Sequence, residues 1–147
     1  MTPGARLQAV IDLLDIFQTK RAPLDNIVKD WARQSRYAGS KDRAFISETV
    51  FSIMRRYGEC AHAMRSDTPR ALLLGYLALK DHSDLGDIGN LFNGEGYHPS
   101  PLSAEEKEHF ESALGSSPLQ DAINIPEPFR IPELYHHQND VAGLWHA

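Results

Sequence analysis

Nine cations fall between residues 20 and 56: Lys20, Arg21, Lys29, Arg33, Arg36, Lys41, Arg43, Arg55 and Arg56. Groups of this kind neutralise phosphates, the sequence-independent part of nucleic-acid binding, and the affinity they give falls as salt rises. Tyr37 stands between Arg36 and Lys41, where its ring could stack on an unpaired base, a common mode of RNA recognition. Lys29, Arg33 and Arg36 recur at spacings of four and three, which places them on one face of a helix. The bland alternative is a solvated face that only keeps the domain soluble.

Charge distribution weighs between these readings. Net charge is −5, which taken alone argues against nucleic acid. Residues 1–80, however, hold 13 Lys and Arg against 8 Asp and Glu, whereas residues 81–147 hold 2 against 12. A basic half and an acidic half point to a working face on the first and a separate surface on the second.

Other chemistry is poorly supported. The histidines are His62, His82, His98, His109, His136, His137 and His146; only His136 and His137 are adjacent, and neighbouring positions seldom ligate one metal. No metal site is expected. The lone Cys60 excludes an internal disulfide, fits a reducing cytoplasm and reads as core filler in a helix stripe. No nucleophile elbow or triad is legible, and Gly94-Glu-Gly96 is too short for a phosphate loop and follows no strand. No catalytic residue and no cofactor are assigned.

The elements that must carry the cations are helical throughout. Thr2 caps a first helix over about Pro3 to Thr19, with a stripe of Leu7, Val10, Ile11 and Leu14 widened by Leu13, Ile16 and Phe17. Such a wide stripe makes this helix central. A second helix begins near Pro23 and buries Leu24, Ile27, Val28 and Trp31, leaving Lys29, Arg33 and Arg36 outward. Gly39-Ser40 breaks it, and Ser40 is expected to cap a third helix. That helix buries Ile46, Val50, Ile53, Met54 and Tyr57, with Cys60 and Met64 on the same stripe if it runs on. Arg55 lies opposite the stripe. Asp42 and Arg43 at its edge read as a partly buried ion pair fixing the helix start.

Thr68-Pro69 starts a fourth helix, apolar nearly all round and therefore buried. Asp84 to Phe92 forms a short helix, Asn93 to Pro101 a Gly- and Pro-broken loop, and Ser103-Ala-Glu-Glu106 a capping box for a helix ending near Leu114 with Phe110 and Leu114 inward. Ser117 to Ile123 adds a turn or two. Residues 124–147, with Pro126, Pro128 and Pro132, read as an extended or disordered tail or linker. No apolar run reaches the length of a membrane helix, and Arg6, Asp12 and Asp15 inside the N-terminal apolar pattern argue against a signal peptide.

A family resemblance rests on three segments. The third helix opens on Lys41-Asp42-Arg43 and closes on Ile53-Met54-Arg55-Arg56-Tyr57; the chain opens Thr2-Pro-Gly-Ala-Arg-Leu-Gln-Ala-Val-Ile-Asp-Leu-Leu14; and Ser117-Pro-Leu-Gln-Asp-Ala122 comes later. In order and spacing, over roughly residues 2 to 125, these resemble the NusB-like RNA-binding domain. They are similar in particular to the version at the N-terminus of bacterial 16S ribosomal RNA 5-methylcytosine methyltransferases (Sun, Fmu or RsmB type).

The resemblance implies an all-α, NusB-like bundle of about six to seven helices over residues 1–123, basic in 1–80 and acidic in 81–123. It implies RNA binding through Lys29, Arg33, Arg36, Tyr37, Lys41, Arg55 and Arg56, with 16S ribosomal RNA positioned for a catalytic domain that binds S-adenosylmethionine. That domain's glycine-rich loop and its two cysteines have no counterpart here, since Cys60 follows Glu59 in a helix, so the chain itself is expected to be non-catalytic. Partners would be RNA, the methyltransferase catalytic domain and a ribosomal protein, in the cytoplasm and without a membrane. Two other readings stand beside it. One is a protein-interaction module docking through the acidic half or through Phe129, Tyr135 and Trp145. The other is a free-standing antitermination factor of the NusB kind.

Overall fold

The computed structural model describes residues 1–81 and 83–115. Within them lie seven α-helices and no strand, an all-α bundle. The helices are α1 (Pro3–Lys20), α2 (Leu24–Gln34), α3 (Ser40–Arg55), α4 (Tyr57–Met64), α5 (Pro69–Tyr76), α6 (Leu85–Leu91) and α7 (Ala104–Leu114). A π-helical turn, Leu77–Asp81, extends α5. The expected turn at Ser117 to Ile123 and the tail, with Phe129, Tyr135 and Trp145, lie outside the described residues.

Local chemistry sets the helix starts. Thr2 accepts from the Ala5 amide (3.2 Å), Thr68 from Ala71 (3.2 Å) and Ser103 from Glu106 (3.1 Å), each satisfying an amide that the first turn leaves without a partner. Glu106 completes its box by accepting from the Ser103 amide at 2.9 Å. At α3 the expectation fails in detail. Gly39, not Ser40, is the cap residue, Ser40 is the first helical residue, and the Asp42 carboxylate accepts from the Gly39 amide at 3.2 Å.

α1 is central, packing on α2, α3, α5 and α6. It buries Leu7, Val10, Leu13, Leu14 and Phe17 completely or nearly so. Ile46, Val50, Ile53, Met54, Tyr57, Cys60 and Met64 are buried as their spacing predicts. They do not lie on one helix, because the backbone departs from helical geometry at Arg56 (φ −119°, ψ 29°) and restarts as α4. The break lets the stripe follow the core around a corner. Beyond it the Tyr57 hydroxyl donates to Asp67 (3.0 Å), while burial and then the Asp67 charge push its phenol up. Burial, reinforced by the Glu59 charge, pushes the Cys60 thiol up to about 12, so it stays a protonated packing group. In α7, Phe110 and Ala113 are buried and Leu114 only partly so.

Two long-range devices close the bundle. The α4 and α5 backbones touch: a Cβ on Gly75 would stand 2.3 Å from the Cys60 carbonyl oxygen and 2.8 Å from its Cα. Only a residue without a side chain fits there. The second device is Arg70, in the first turn of α5. Its Nε donates to Glu106 Oε2 (2.7 Å), and its Nη2 reaches Glu106 Oε1 (3.2 Å) and the carbonyls of Ser100 (2.7 Å) and Pro101 (3.0 Å). Its Nη1 donates to Ser100 Oγ (3.0 Å), and its guanidinium lies 5.2 Å from the centroid of buried Phe92. One side chain thus ties α5, the end of α6, the loop after it and the cap of α7.

Gly75→Ala is predicted to destabilise the fold by about 3 kcal/mol, in the range of forced overpacking. A urea denaturation midpoint measures it; an unchanged midpoint would show that the α4–α5 contact has slack.

Candidate nucleic-acid interface

The structure divides the chain's cations by what holds them. Because Leu24, Ile27, Val28 and Trp31 turn α2 inward, Lys29 and Arg33 are fully outward one turn apart. Arg33 comes within 3.6 Å of Asp30, an exposed pair that weakly restrains either side chain. Arg36 is not on that helix face as expected. α2 ends at Gln34, and buried Ser35 donates its amide to the Trp31 carbonyl (2.9 Å). Ser35 occupies the inward position four residues after Trp31, where the apolar stripe stops.

The chain then turns through Arg36 and Tyr37 to buried Ala38, whose amide bonds Ser35 O (3.0 Å). Both ends of the turn being anchored, Arg36 and Tyr37 form its tip, and Tyr37 is 70% exposed. Lys41, in the first turn of α3, is exposed beside them. Arg36, Tyr37 and Lys41 are therefore one group, with Lys29 and Arg33 on the helix leading into it.

Arg55 and Arg56 are elsewhere. Fourteen residues of helix separate Lys41 from Arg55, about 21 Å along the axis. Arg55 is exposed and donates to Ser52 Oγ (3.1 Å). Arg56 directs Nε (3.1 Å) and Nη2 (2.8 Å) onto Glu59 Oε2 and is only partly exposed, so its guanidinium is held within the protein.

The expected Asp42–Arg43 pair does not form. Asp42 instead accepts from Arg6 Nε at 2.6 Å, with the N-terminal ammonium 3.9 Å away, while Arg43 donates to the Ala38 carbonyl at 2.7 Å. Consecutive residues on a helix diverge by 100°, so Asp42 faces α1 when Arg43 faces the turn. Arg6 also lies 5.4 Å from the Phe45 ring centroid. This pair locks the starts of α1 and α3 together at one end of the bundle.

The Asn93–Pro101 loop closes over the same end. His98 Nε2 lies 2.8 Å from Thr2 Oγ1 and Nδ1 2.9 Å from Asn93 Oδ1. Since an amide oxygen only accepts, Nδ1 donates to Asn93, which sets Nε2 against the Thr2 hydroxyl. The ring packs on Gly4, where a Cβ would fall 2.5 Å from it. Between α1, Tyr37 and this loop lies a cleft of about 770 Å³ whose lining includes Gln8, Asp12, Tyr37, Glu95, Tyr97 and His98. Tyr97 is 85% exposed.

Neither Tyr97 nor the cleft was expected from the sequence. The available signal was a large aromatic residue within a glycine-flanked loop lacking apolar periodicity. Among the described residues, no three or more His, Cys, Asp and Glu side chains are grouped to hold a metal ion. No helix there is long and apolar enough to cross a membrane.

Comparison with protein-family models, with curated proteins and with solved structures yields no match to this chain. Its chemistry has to be argued from its own side chains.

Two carboxylates should give the domain an acid-sensitive stability. The Arg6 hydrogen bond, opposed by burial, holds Asp42 below the usual carboxylate range. Burial opposes ionisation of Glu106, but the Arg70 hydrogen bond and the Ser103 amide outweigh it and hold that carboxyl low as well. A folded pKa below the unfolded one means stabilisation that is present above the ordinary carboxylate pKa, about 4, and lost as pH falls through the folded value. Between about pH 6 and about pH 3, the wild type should lose more stability than the Asp42→Asn, Glu106→Gln double variant in urea titrations. Equal losses would contradict these assignments.

Proposed function

We propose that this chain is an RNA-binding accessory domain of the NusB-like kind. It would position ribosomal RNA, 16S in particular, for an S-adenosylmethionine-dependent cytosine methyltransferase domain, and would itself be non-catalytic. One observation carries the RNA-binding part. Lys29 and Arg33 on α2, Arg36 on the α2–α3 turn and Lys41 in the first turn of α3 stand exposed on either side of exposed Tyr37 in the chain, whereas Arg6, Arg43, Arg56 and Arg70 are engaged internally. Cations kept outward around an aromatic ring suit phosphates and an unpaired base. The methyltransferase context rests on the sequence resemblance alone.

Of the expected contact set, Arg36, Tyr37 and Lys41 form the centre and Lys29 and Arg33 the flank. Arg55 would serve a distant phosphate. Arg56, held by Glu59, contributes least. The acidic second half, sealed on by Arg70, supports the alternative of a protein-docking surface for a catalytic domain or a ribosomal protein; both surfaces can operate in one domain.

The test is the Arg33→Glu, Arg36→Glu double variant. Helical circular dichroism and melting should change little, because both side chains are exposed. Binding of a labelled 16S ribosomal RNA fragment should weaken tenfold or more, as two phosphate contacts become repulsive. Unchanged binding by a folded variant would remove the basis for this face.

A further inference from the structure

The cleft at the end of the bundle has no assigned role in phosphate binding, and its lining explains why. Tyr37 and Tyr97 both line it and are 70% and 85% exposed, large apolar rings in water with little packing to justify them. Between them the lining includes Gln8, Asp12 and Glu95, together with Met1, whose ammonium lies 3.9 Å from Asp42. Gln8 Nε2 donates to Asp12 Oδ1 (2.9 Å), which orients the carboxylate and turns the Gln8 carbonyl away from that bond. The cleft is thus aromatic at its lips and mostly apolar within, with a few hydrogen-bond acceptors at Gln8, Asp12 and Glu95. Exposed cationic side chains flank it in the chain, at Arg36 next to Tyr37 and at Lys41 four residues on.

We propose that this cleft takes one unpaired nucleobase bearing an exocyclic amino group. The base would stack on Tyr37 and Tyr97 and donate its amino hydrogens to Asp12 or Glu95, while Arg36 and Lys41 hold the adjoining phosphates. The proposal deepens the RNA reading above and rests on it.

Size permits it, since clefts of about 300–1,000 Å³ are those that enclose small planar ligands. The acceptors select against uracil, which lacks an amino group and would set its carbonyl oxygens against carboxylates. A cationic protein side chain also suits two tyrosines and two carboxylates. Arg36, next in the chain to the lining residue Tyr37, and Lys41 beyond it disfavour it, because they repel a basic segment and attract a phosphodiester strand. The frame of the cleft is secured by His98 between Thr2 and Asn93, by Arg70 on the far side of the loop, and by the Arg6–Asp42 pair.

Binding of labelled single-stranded decamers of A, C and U to the full chain tests this by fluorescence anisotropy, with wild type, Tyr97→Ala and Tyr97→Phe. Tyr97 is almost wholly exposed, so its truncation leaves the fold intact, which circular dichroism checks. Wild type should bind the A and C strands several-fold tighter than U. Tyr97→Ala should lose about fivefold or more on A and C, the effect of removing one stacking partner, and Tyr97→Phe should lose little.

If wild type binds all three strands equally and Tyr97→Ala binds as wild type does, the base site is wrong while the basic face stands. If no RNA binds at all, both fall. If an arginine-rich peptide binds in a Tyr97-dependent manner and RNA does not, the cleft belongs to a protein partner and the proposal is overturned in that direction.

Discussion

The guanidinium of Arg70 joins the two halves of this domain. All three of its nitrogens donate across that junction, to the Glu106 carboxylate, the Ser100 hydroxyl, and the carbonyls of Ser100 and Pro101. The Ser100 and Pro101 carbonyls lie at the exposed edge of the loop, so these bonds fix the path of the loop rather than rescue buried acceptors. Glu106 is at once the arginine's counter-ion and the capping residue of α7, so helix start and loop path are decided together. Because that loop is held from below by Arg70 and from above by His98, Tyr97 is presented at its tip beside Tyr37, although the two are sixty residues apart in sequence.

Charge in this molecule divides into two uses. Arg6, Arg43, Arg56 and Arg70 are structural: each donates to a carboxylate or carbonyl of the protein, and two also lie against aromatic rings. Lys29, Arg33 and Lys41 point away from their helices' apolar stripes and Arg36 stands on the turn between them, all exposed where screening by salt is strong. A basic half-chain is therefore a poor measure of a basic surface. Lys20, Arg21, Arg55, Arg65, Lys80 and Lys107 are exposed as well, and what sets Arg36 and Lys41 apart is the exposed Tyr37 ring between them in the chain.

The helical pattern was legible because it is local. Thr2-Pro3, Thr68-Pro69 and Ser103 to Glu106 announce helix starts through groups three residues apart, and the stripes from Leu7 to Met64 announce the core. Spacing along one helix says nothing of which helix it meets. Asp42 finds Arg6 and Arg70 finds Glu106 across 36 residues, and in both cases the sequence offered a nearer or less specific partner. The end of α2 was missed because the cations continue a helical spacing through Arg36 when the apolar stripe has already stopped at Trp31. The break at Arg56 was missed for the opposite reason: the apolar stripe continues through it. Of the candidate site, Tyr37 was read between Arg36 and Lys41, but Arg36 was placed on the α2 face with Lys29 and Arg33; the Gly94 to His98 loop was not linked to them, since it carries no periodicity to place it.

The central claim is that the outward cations of α2 and the α2–α3 turn engage an RNA backbone. The slope of log affinity against log salt for a 16S ribosomal RNA fragment tests it most directly, measured from about 50 to about 200 mM. Four or five phosphate contacts predict a slope of about −3 to −4.5, with tight binding at the low end lost at the high end. A slope near zero, or no binding at either salt, would contradict the account and leave those cations as a solvated surface.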